Sequence, residues 1–393
     1  MLPLRGLRVI ELCHAVAGPC CTALLADMGA DVIKVEPITG EYSRYVQNGS
    51  VFLNLNCNKR GIALDLKTYR GRELVLKLTA KSDVLVESFT PGTLDKLDLS
   101  YETVSKVNPG IIYCSVSGFG HSGPYKKRHA VDPLVQAMSG MLSTTGEPGQ
   151  PPVRIGPPTI DFGTGMFGAY NIVLALLNRQ KSGQGQRIDI ALLDTAAYYM
   201  GNFIADYSIS GQIPAPLGSG SSLFVPYQVF SAKDRFIFIG VFEDNMWITF
   251  CQLLGAKDLA EDPRYATNED RCRNREELIK RLEQVVCQFS SDELMAKLTT
   301  IDVLCGPVLD VSEMINDPQV KDRKLVVDVE YPYTRTLKIA RIPGGFSEKV
   351  SRIRQRPPLL GEHTSQVMKG LGYSETEIES FINDSIVFQY PIS

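Results

Sequence analysis

Asp161 has the strongest claim to chemistry in this chain. It follows Gly156-Pro157-Pro158-Thr159-Ile160, where a helix is expected to open, and Gly163, Gly165 and Gly168 come soon after it. A helix N-terminus has free backbone N–H groups and a dipole that favours negative charge. A carboxylate there is either a helix cap or a nucleophile or base whose small neighbours let a ligand approach. A second group of residues is basic. Lys59-Arg60, Lys67, Arg70, Lys96 and Lys126-Lys127-Arg128-His129 fall in loops near the ends of expected strands. Taken singly, each is a solvated surface cation. Together they suit a phosphorylated ligand at the edge of an open parallel sheet.

Other motifs fail on their surroundings. Gly118-Phe119-Gly120-His121-Ser122-Gly123 has dinucleotide-fingerprint spacing, but Pro124 and three basic residues follow instead of a helix. It reads as a glycine-rich turn. Asp161-Phe162-Gly163 resembles a kinase triplet, yet the chain has no His-Arg-Asp. There is no Gly-x-Ser-x-Gly elbow. The nine cysteines include no Cys-x-x-Cys pair, and the four histidines are scattered, so no metal site is expected.

These residues need elements to hold them. Strands are expected at Leu7–Leu12, Asp31–Glu36, Gly61–Leu66, Asp83–Glu87, Gly110–Val116 and Arg187–Leu192, and helices at Ala17–Met28 and Arg70–Lys81. Alternating strands and helices imply βαβ units, a parallel sheet and an α/β fold. Asp161 to Gln180 is apolar on most faces and is expected to be a largely buried helix. Residues 211–224, rich in glycine, serine and proline, read as a linker or mobile loop. A smaller α+β domain is expected over 225–324, with a strand at Phe236–Val241 and helices at Asn245–Leu254, Arg275–Phe289 and Asp292–Leu298. Residues 325–350 read as β segments turning at Pro343-Gly344-Gly345, and Thr364–Ile386 as helical.

Composition sets the outer bounds. The 393 residues are 44% hydrophobic and 22% charged, with a net charge of −3, which suits a globular chain of two to three domains. No broad basic excess points to nucleic acid. No run approaches membrane-span length, and Glu11 interrupts the apolar stretch that a signal peptide would need, so a cytoplasmic protein without a membrane partner is expected.

Several strings occur together and in order. They are Leu4-Arg5-Gly6-Leu7-Arg8-Val9-Ile10-Glu11-Leu12, Ala17-Gly18-Pro19, Leu25-Ala26-Asp27-Met28-Gly29-Ala30-Asp31-Val32-Ile33-Lys34-Val35-Glu36, Asn58-Lys59-Arg60-Gly61-Ile62-Ala63-Leu64-Asp65-Leu66-Lys67, Asp83-Val84-Leu85-Val86-Glu87-Ser88-Phe89, Ser117-Gly118-Phe119-Gly120 and Pro358-Leu359-Leu360-Gly361-Glu362-His363-Thr364. With them the chain resembles, from end to end, the class III coenzyme A transferases, the family of formyl-CoA, carnitine and bile-acid CoA-transferases. The resemblance implies a Rossmann-like large domain built from residues 1–210 and 325–393 and an interlocked, ring-shaped homodimer. It implies Asp161 as nucleophile, passing through aspartyl-acyl anhydrides and an aspartyl-CoA thioester. An acyl-CoA, with succinyl-CoA as one donor, and a free carboxylic acid would be the substrates, with no tightly bound cofactor. Backbone N–H groups at Ala15, Val16 and Ala17 would meet the oxyanion, with Asp132, Gly218 and Gly220 around the substrate. CoA contacts carry over to Leu64, Leu66, Lys67, Ser88, Phe89, Lys96, Leu97 and His129.

The chain departs from formyl-CoA transferase at Val16, where that enzyme has glutamine, and at Pro37, where it has arginine. Its glycine-rich lid appears only as Gly218-Ser219-Gly220-Ser221-Ser222. These changes favour a bulkier, partly apolar acid over oxalate. The same fold serves α-methylacyl-CoA racemase, which pairs the aspartate with a histidine directly before an Asp; here that pair is Val131-Asp132. A non-catalytic subunit that binds acyl-CoA is the other alternative.

Overall fold

The computed structural model describes residues 2–332, 334–344 and 353–391. The chain forms two units: Met1–Met141, Arg154–Ser210 and Lys321–Ser393 make one, and Leu142–Val153 with Gly211–Val320 the other. The first unit is built on a seven-stranded sheet. Its strands are β1 (Arg8–Leu12), β2 (Asp31–Glu36), β3 (Lys59–Leu64), β4 (Val84–Glu87), β5 (Ile112–Ser117) and β6 (Gln186–Ala191), with the late strand β12 (Val387–Phe388) at one edge. The order is β12-β3-β2-β1-β4-β5-β6. β1 to β6 run parallel, and β12 pairs antiparallel with β3. The order reverses between β1 and β4, so the loops after these two strands form the crevice where such sheets take ligands.

Neighbouring strand residues face opposite sides. Val9, Val32, Val84, Val86 and Ile112 therefore pack under one layer of helices, and Ile10, Leu12, Ile33 and Leu85 under the other. The first layer contains α1 (Ala17–Asp27), α2 (Asp132–Met138), α3 (Thr159–Ser182) and α4 (Leu192–Tyr199), followed by α5 (Gly201–Ser210). The second contains the helices Tyr69–Thr79, Thr364–Gly370 and Glu375–Asn383.

α3 differs from expectation. Ile160, Gly163, Thr164, Gly165, Gly168, Ile172 and Leu176 are buried, but Met166, Tyr170, Leu174 and Leu177 are exposed. An eighteen-residue window of α3 has a mean hydropathy of 1.4, enough for a membrane span by length and composition, yet half of it is buried in the fold. Its small-residue side lies on α1: a Cβ at Gly165 would come within 2.7 Å of Ala17 O and of Cys20 Cβ. The exposed apolar side has no cover in the single chain, and Tyr198, Phe203, Ile204 and Tyr207 of α4 and α5 are exposed as well.

The C-terminal segment is two helices rather than one. Gly372, at φ +96°, breaks it, and Ser374 caps the second helix in a capping box with Glu377. β10 (Val326–Tyr331) and β11 (Thr334–Ala340) pair antiparallel. The part of the expected turn at Gly345 and beyond, to residue 350, lies outside the described residues.

The second unit carries a three-stranded antiparallel sheet of β7 (Tyr227–Ser231), β8 (Phe236–Gly240) and β9 (Leu304–Pro307). Helices cover it around Trp247, Phe250, Leu282 and Leu294, all fully buried. Arg271 is fully buried there too, donating to Val225 O, Tyr265 O and Asp244 Oδ1. Residues 211–224 contain no helix or strand but are anchored within this unit: Ser219 Oγ accepts from Val229 N–H, and Asn268 donates to Leu223 O.

Candidate active site

Asp161 lies in the first turn of α3. It is not the cap of that helix. Asp132, at the start of α2, does the capping from a distance: its Oδ2 accepts from the N–H groups of Ile160 (2.8 Å) and Asp161 (3.1 Å). Its Oδ1 accepts from Gln136 Nε2 at 2.5 Å, and Gln136 Oε1 accepts from Ile155 N–H. Asp132 is 3% exposed with both oxygens engaged. It lies beneath the site and does not line the pocket as expected, because its carboxylate is spent on the helix end.

The Asp161 carboxylate is left without a hydrogen-bond donor among the described residues. Burial, with the Asp132 charge second, pushes its pKa up to about 7. A poorly solvated carboxylate that is not bonded is a better nucleophile than a capped one. The three glycines after it do not open space for a ligand as expected. A Cβ at Gly163 would overlap the Tyr199 hydroxyl, one at Gly165 would strike α1, and one at Gly168 would lie 3.1 Å from Cys21 Sγ. They are glycines so that α3 can press against its neighbours.

That packing brings the start of α1 beside the start of α3. Cys20 Sγ lies 3.8 Å from Phe162 O, and burial first, then the Asp161 charge, raises the Cys20 thiol to about 11. Ala15 adopts a left-handed φ of +62° in the loop from β1 to α1. Its N–H is not available for an oxyanion as expected, because it donates to Glu41 Oε2 at 3.1 Å. The N–H groups of Val16 and Ala17 have no acceptor among the described residues, as befits a helix start.

A buried charge network supports this loop. Glu11 of β1 bonds Lys34 Nζ and Lys59 Nζ, each at 2.8 Å, and Thr22 Oγ1 at 2.6 Å. Lys34 also reaches Glu41 Oε1 at 3.2 Å and Cys13 O at 3.0 Å. Glu11, Lys34 and Lys59 are fully buried. Burial pushes Glu11 up, but the two lysines outweigh it and hold the carboxyl at about 2. Burial lowers Lys34 less than Glu11, Glu41 and Glu36 raise it. Neither Glu41 nor Tyr42 was singled out from the sequence. Tyr42 is 57% exposed, and its phenol is raised by partial burial and by the Asp161 and Glu41 charges. Glu11 and Lys34 left a readable signal: charged residues inside apolar strands, directly opposite in the β1–β2 register.

The expected CoA residues divide. Leu66, Phe89 and Leu97 are half-buried and pack on one core cluster, on the sheet face opposite α3. Lys67 and Lys96 are exposed. His129 Nδ1 lies 3.2 Å from Thr90 Oγ1, just after Phe89. Ser88 Oγ accepts from His14 N–H at 3.2 Å, tying the β4 turn to the β1 loop across the crevice. Leu64 is 1% exposed, and its backbone is opposite Val387 of β12, so its side chain is core. Lys59, Arg60 and Arg70 are structural: Lys59 is in the buried network, Arg60 pairs with Asp31, and Arg70 pairs with Asp384. Lys59 and Arg60 begin β3, at the end of the sheet away from the crevice.

Gly218 and Gly220 belong to the second unit. Gly218, at φ +62°, donates its N–H to Gly146 O, and a Cβ there would meet the Glu147 carboxylate at 2.6 Å. Val131 is 63% exposed and offers no acid or base to a proton-exchange reaction.

The comparisons with known proteins agree over nearly the whole chain. The sequence profile described as CoA-transferase family III matches residues 4–364. The succinate–glutarate CoA-transferase of Agrobacterium fabrum is 38% identical over 94% of this chain and 96% of its own. The human succinyl-CoA:glutarate CoA-transferase is 33% identical over 99% and 90%. The crystal structure of a CAIB/BAIF family protein from Brucella suis superposes with a TM-score of 0.87 at 38% identity, covering 94% of this chain and 99% of that one. On its sequence and on its fold, this chain belongs to CoA-transferase family III.

Proposed function

We propose that the enzyme moves CoA from a dicarboxylic acyl-CoA, with succinyl-CoA as donor, to a free dicarboxylic acid longer than oxalate, with Asp161 as nucleophile. The observation that carries the reading is the Asp161 carboxylate, which Asp132 relieves of capping and which no donor among the described residues engages. Its oxygen attacks the donor thioester carbonyl, the C–S bond breaks, and CoA thiolate leaves an aspartyl-acyl anhydride. The thiolate attacks the aspartyl carbonyl and expels the donor carboxylate, leaving an aspartyl-CoA thioester. The acceptor carboxylate displaces the thiolate to form a second anhydride. The returning thiolate then takes the acceptor acyl group and frees Asp161. Every intermediate is an activated acyl group and no net proton is consumed, so the sequence needs no ATP.

The N–H groups of Val16 and Ala17, at the N-terminus of α1, suit the oxyanions of these steps. Val16 gives the acyl pocket an apolar wall, and relatives are named for glutarate and mesaconate. Leu66, Lys67, Ser88, Phe89, Lys96, Leu97 and His129 would hold CoA along the ends of β3 and β4. A second copy of the chain would cover the exposed apolar side of α3 to α5, in the interlocked homodimer that the family resemblance implies.

The test is to incubate the protein with a panel of acyl-CoAs, quench with hydroxylamine and map peptides by mass spectrometry. A hydroxamate on the Asp161 peptide, formed only with acyl-CoA, is the expected result. An unmodified Asp161 with every donor overturns the covalent reading.

A further inference from the structure

Glu87 ends β4 directly behind the Ser88–Phe89 turn and is 3% exposed. Its Oε2 accepts from the Phe89 N–H at 2.9 Å. Its Oε1 lies 3.8 Å from His121 Nε2, and that nitrogen is buried without a hydrogen-bond partner among the described residues. The other ring nitrogen, Nδ1, is 2.5 Å from Arg187 Nη2. A guanidinium can only donate, so Nδ1 is the acceptor and neutral His121 carries its proton on Nε2, facing Glu87. The His121 backbone is fixed by its N–H bond to Asp189 Oδ2 at 2.9 Å. A cavity of about 160 Å³ opens beside Glu87, His121 and Arg187, and Thr90, Pro91 and Gly92 of the same turn line its other side.

We propose that Glu87 and His121 are a positioning pair that locks the Ser88–Phe89 turn, and through it sets the affinity for the CoA moiety without touching CoA. This rests on the placement of CoA proposed above. The glycine-rich segment from Gly118 to Gly123 thereby gains a role: its sharp turn, with Gly120 at φ +80°, delivers the imidazole to the back of the CoA turn. The charged and titratable groups facing Glu87 are His121, Arg187, Asp189, Asp95, Glu102, Tyr101, Tyr113 and Cys13. Burial, with the Asp189 charge adding to it, outweighs the Ser115 hydroxyl, the Phe89 N–H and the Arg187 charge and raises Glu87 to about 7. The ionised carboxylate makes the stronger, charge-assisted bond to Phe89 N–H and attracts the Nε2 proton. The turn is therefore held most firmly above that pH.

The experiment is calorimetric titration of free CoA into the full-length Asp161→Asn protein, in which the nucleophile no longer titrates, from about pH 6 to about pH 8. The dissociation constant is expected to tighten roughly three- to tenfold as pH rises. The Glu87→Gln form of the same protein should hold its weaker, low-pH value throughout. The ligand's own phosphate titration is common to both proteins, so the difference belongs to Glu87. His121→Ala admits water to the cavity and should move the inflection down by about one pH unit, which keeps a readout if Glu87→Gln folds poorly. Phe89→Ala separates the two layers of the argument. If it weakens binding and Glu87→Gln changes neither affinity nor profile, the positioning role is overturned. If Phe89→Ala has no effect, CoA is not on this turn, and the placement of CoA and the pair's role both fall.

Discussion

Asp132 accepts a hydrogen bond from the backbone N–H of Asp161 at 3.1 Å, while its charge opposes ionisation of the Asp161 side chain. One carboxylate thus holds the helix end and leaves the other idle, poorly solvated and slow to lose its proton. The division of labour separates stability from reactivity between two residues that a helix start usually combines in one.

The first consequence is a pH profile. In the proposed mechanism the ionised form of Asp161 attacks the thioester, and burial raises its pKa to about 7. The rate of thioester attack should rise about tenfold per pH unit below that value and level off above it. Asp132→Asn keeps an oxygen for both N–H groups but removes the charge, so the rise should shift to lower pH by a few tenths of a unit to about one unit. A pH–rate profile of kcat/KM in both proteins checks this. An unmoved profile in Asp132→Asn would leave burial as the sole cause.

Stability should run the opposite way. The folded pKa of Asp161 lies above its ordinary 3.8, so the fold favours the protonated form. Stability is complete below pH 3.8, falls as the group ionises and is fully reduced above about 7. Asp161→Asn should therefore be more stable than the wild type by about 1–3 kcal/mol near pH 8, with the advantage gone below pH 4. It should have lost turnover entirely. Urea unfolding at the two pH values reads the difference, and equal stability at pH 8 would contradict the raised pKa.

Glu11 carries the reverse sign. Held at about 2, below its ordinary 4.5, it contributes stability above pH 4.5 that is lost as pH falls through about 2. Glu11→Gln leaves buried Lys34 with Glu41 alone and buried Lys59 with no carboxylate partner among the described residues, and should cost about 3–5 kcal/mol. The loop at Ala15 should loosen with it, because Glu41 and Lys34 belong to the same network. Denaturation midpoints, together with susceptibility of the Ala15 to Ala17 segment to proteolysis, test both parts.

Gly165→Ala should fail for lack of space. The new Cβ would lie 2.7 Å from the Ala17 carbonyl oxygen, which is backbone and cannot rotate away. A loss of about 1–3 kcal/mol is expected. A larger fall in kcat than in stability should follow, since the strain displaces the start of α1 from Asp161. Thermal midpoints and kcat measured on one preparation separate the two effects.

The sequence carried the sheet more plainly than the site. β1 to β5 announce themselves through apolar runs between helical patterns, because these strands are buried on both faces, whereas β6 at the sheet edge alternates exposed and buried residues. α2 went unread because its seven residues open with Asp132-Pro133 and show no apolar period. The exposed side of α3 reads as core, since leucine and tyrosine look alike in a sequence whether or not something covers them. Asp161 stands out by its place at the start of a helix. That another carboxylate relieves it of capping could not be seen, because the bond joins two segments that only folding brings together. The same holds for Glu41, whose bond to Ala15 N–H depends on the path of the loop after β2.

The pairing of β12 with β3 concerns the protein's making as well as its shape. Leu64 of β3 is synthesised long before Val387, which closes its edge. Until then β3 carries a row of unpaired backbone groups along its outer edge, with the helix Thr364–Gly370 that packs on it also still to come. The growing chain can assemble the central strands but finishes the edge only once Val387 and Phe388 have emerged. Truncation before Val387 would therefore leave an early strand unfinished, and nascent chains stalled short of Val387 are where misassembly should begin.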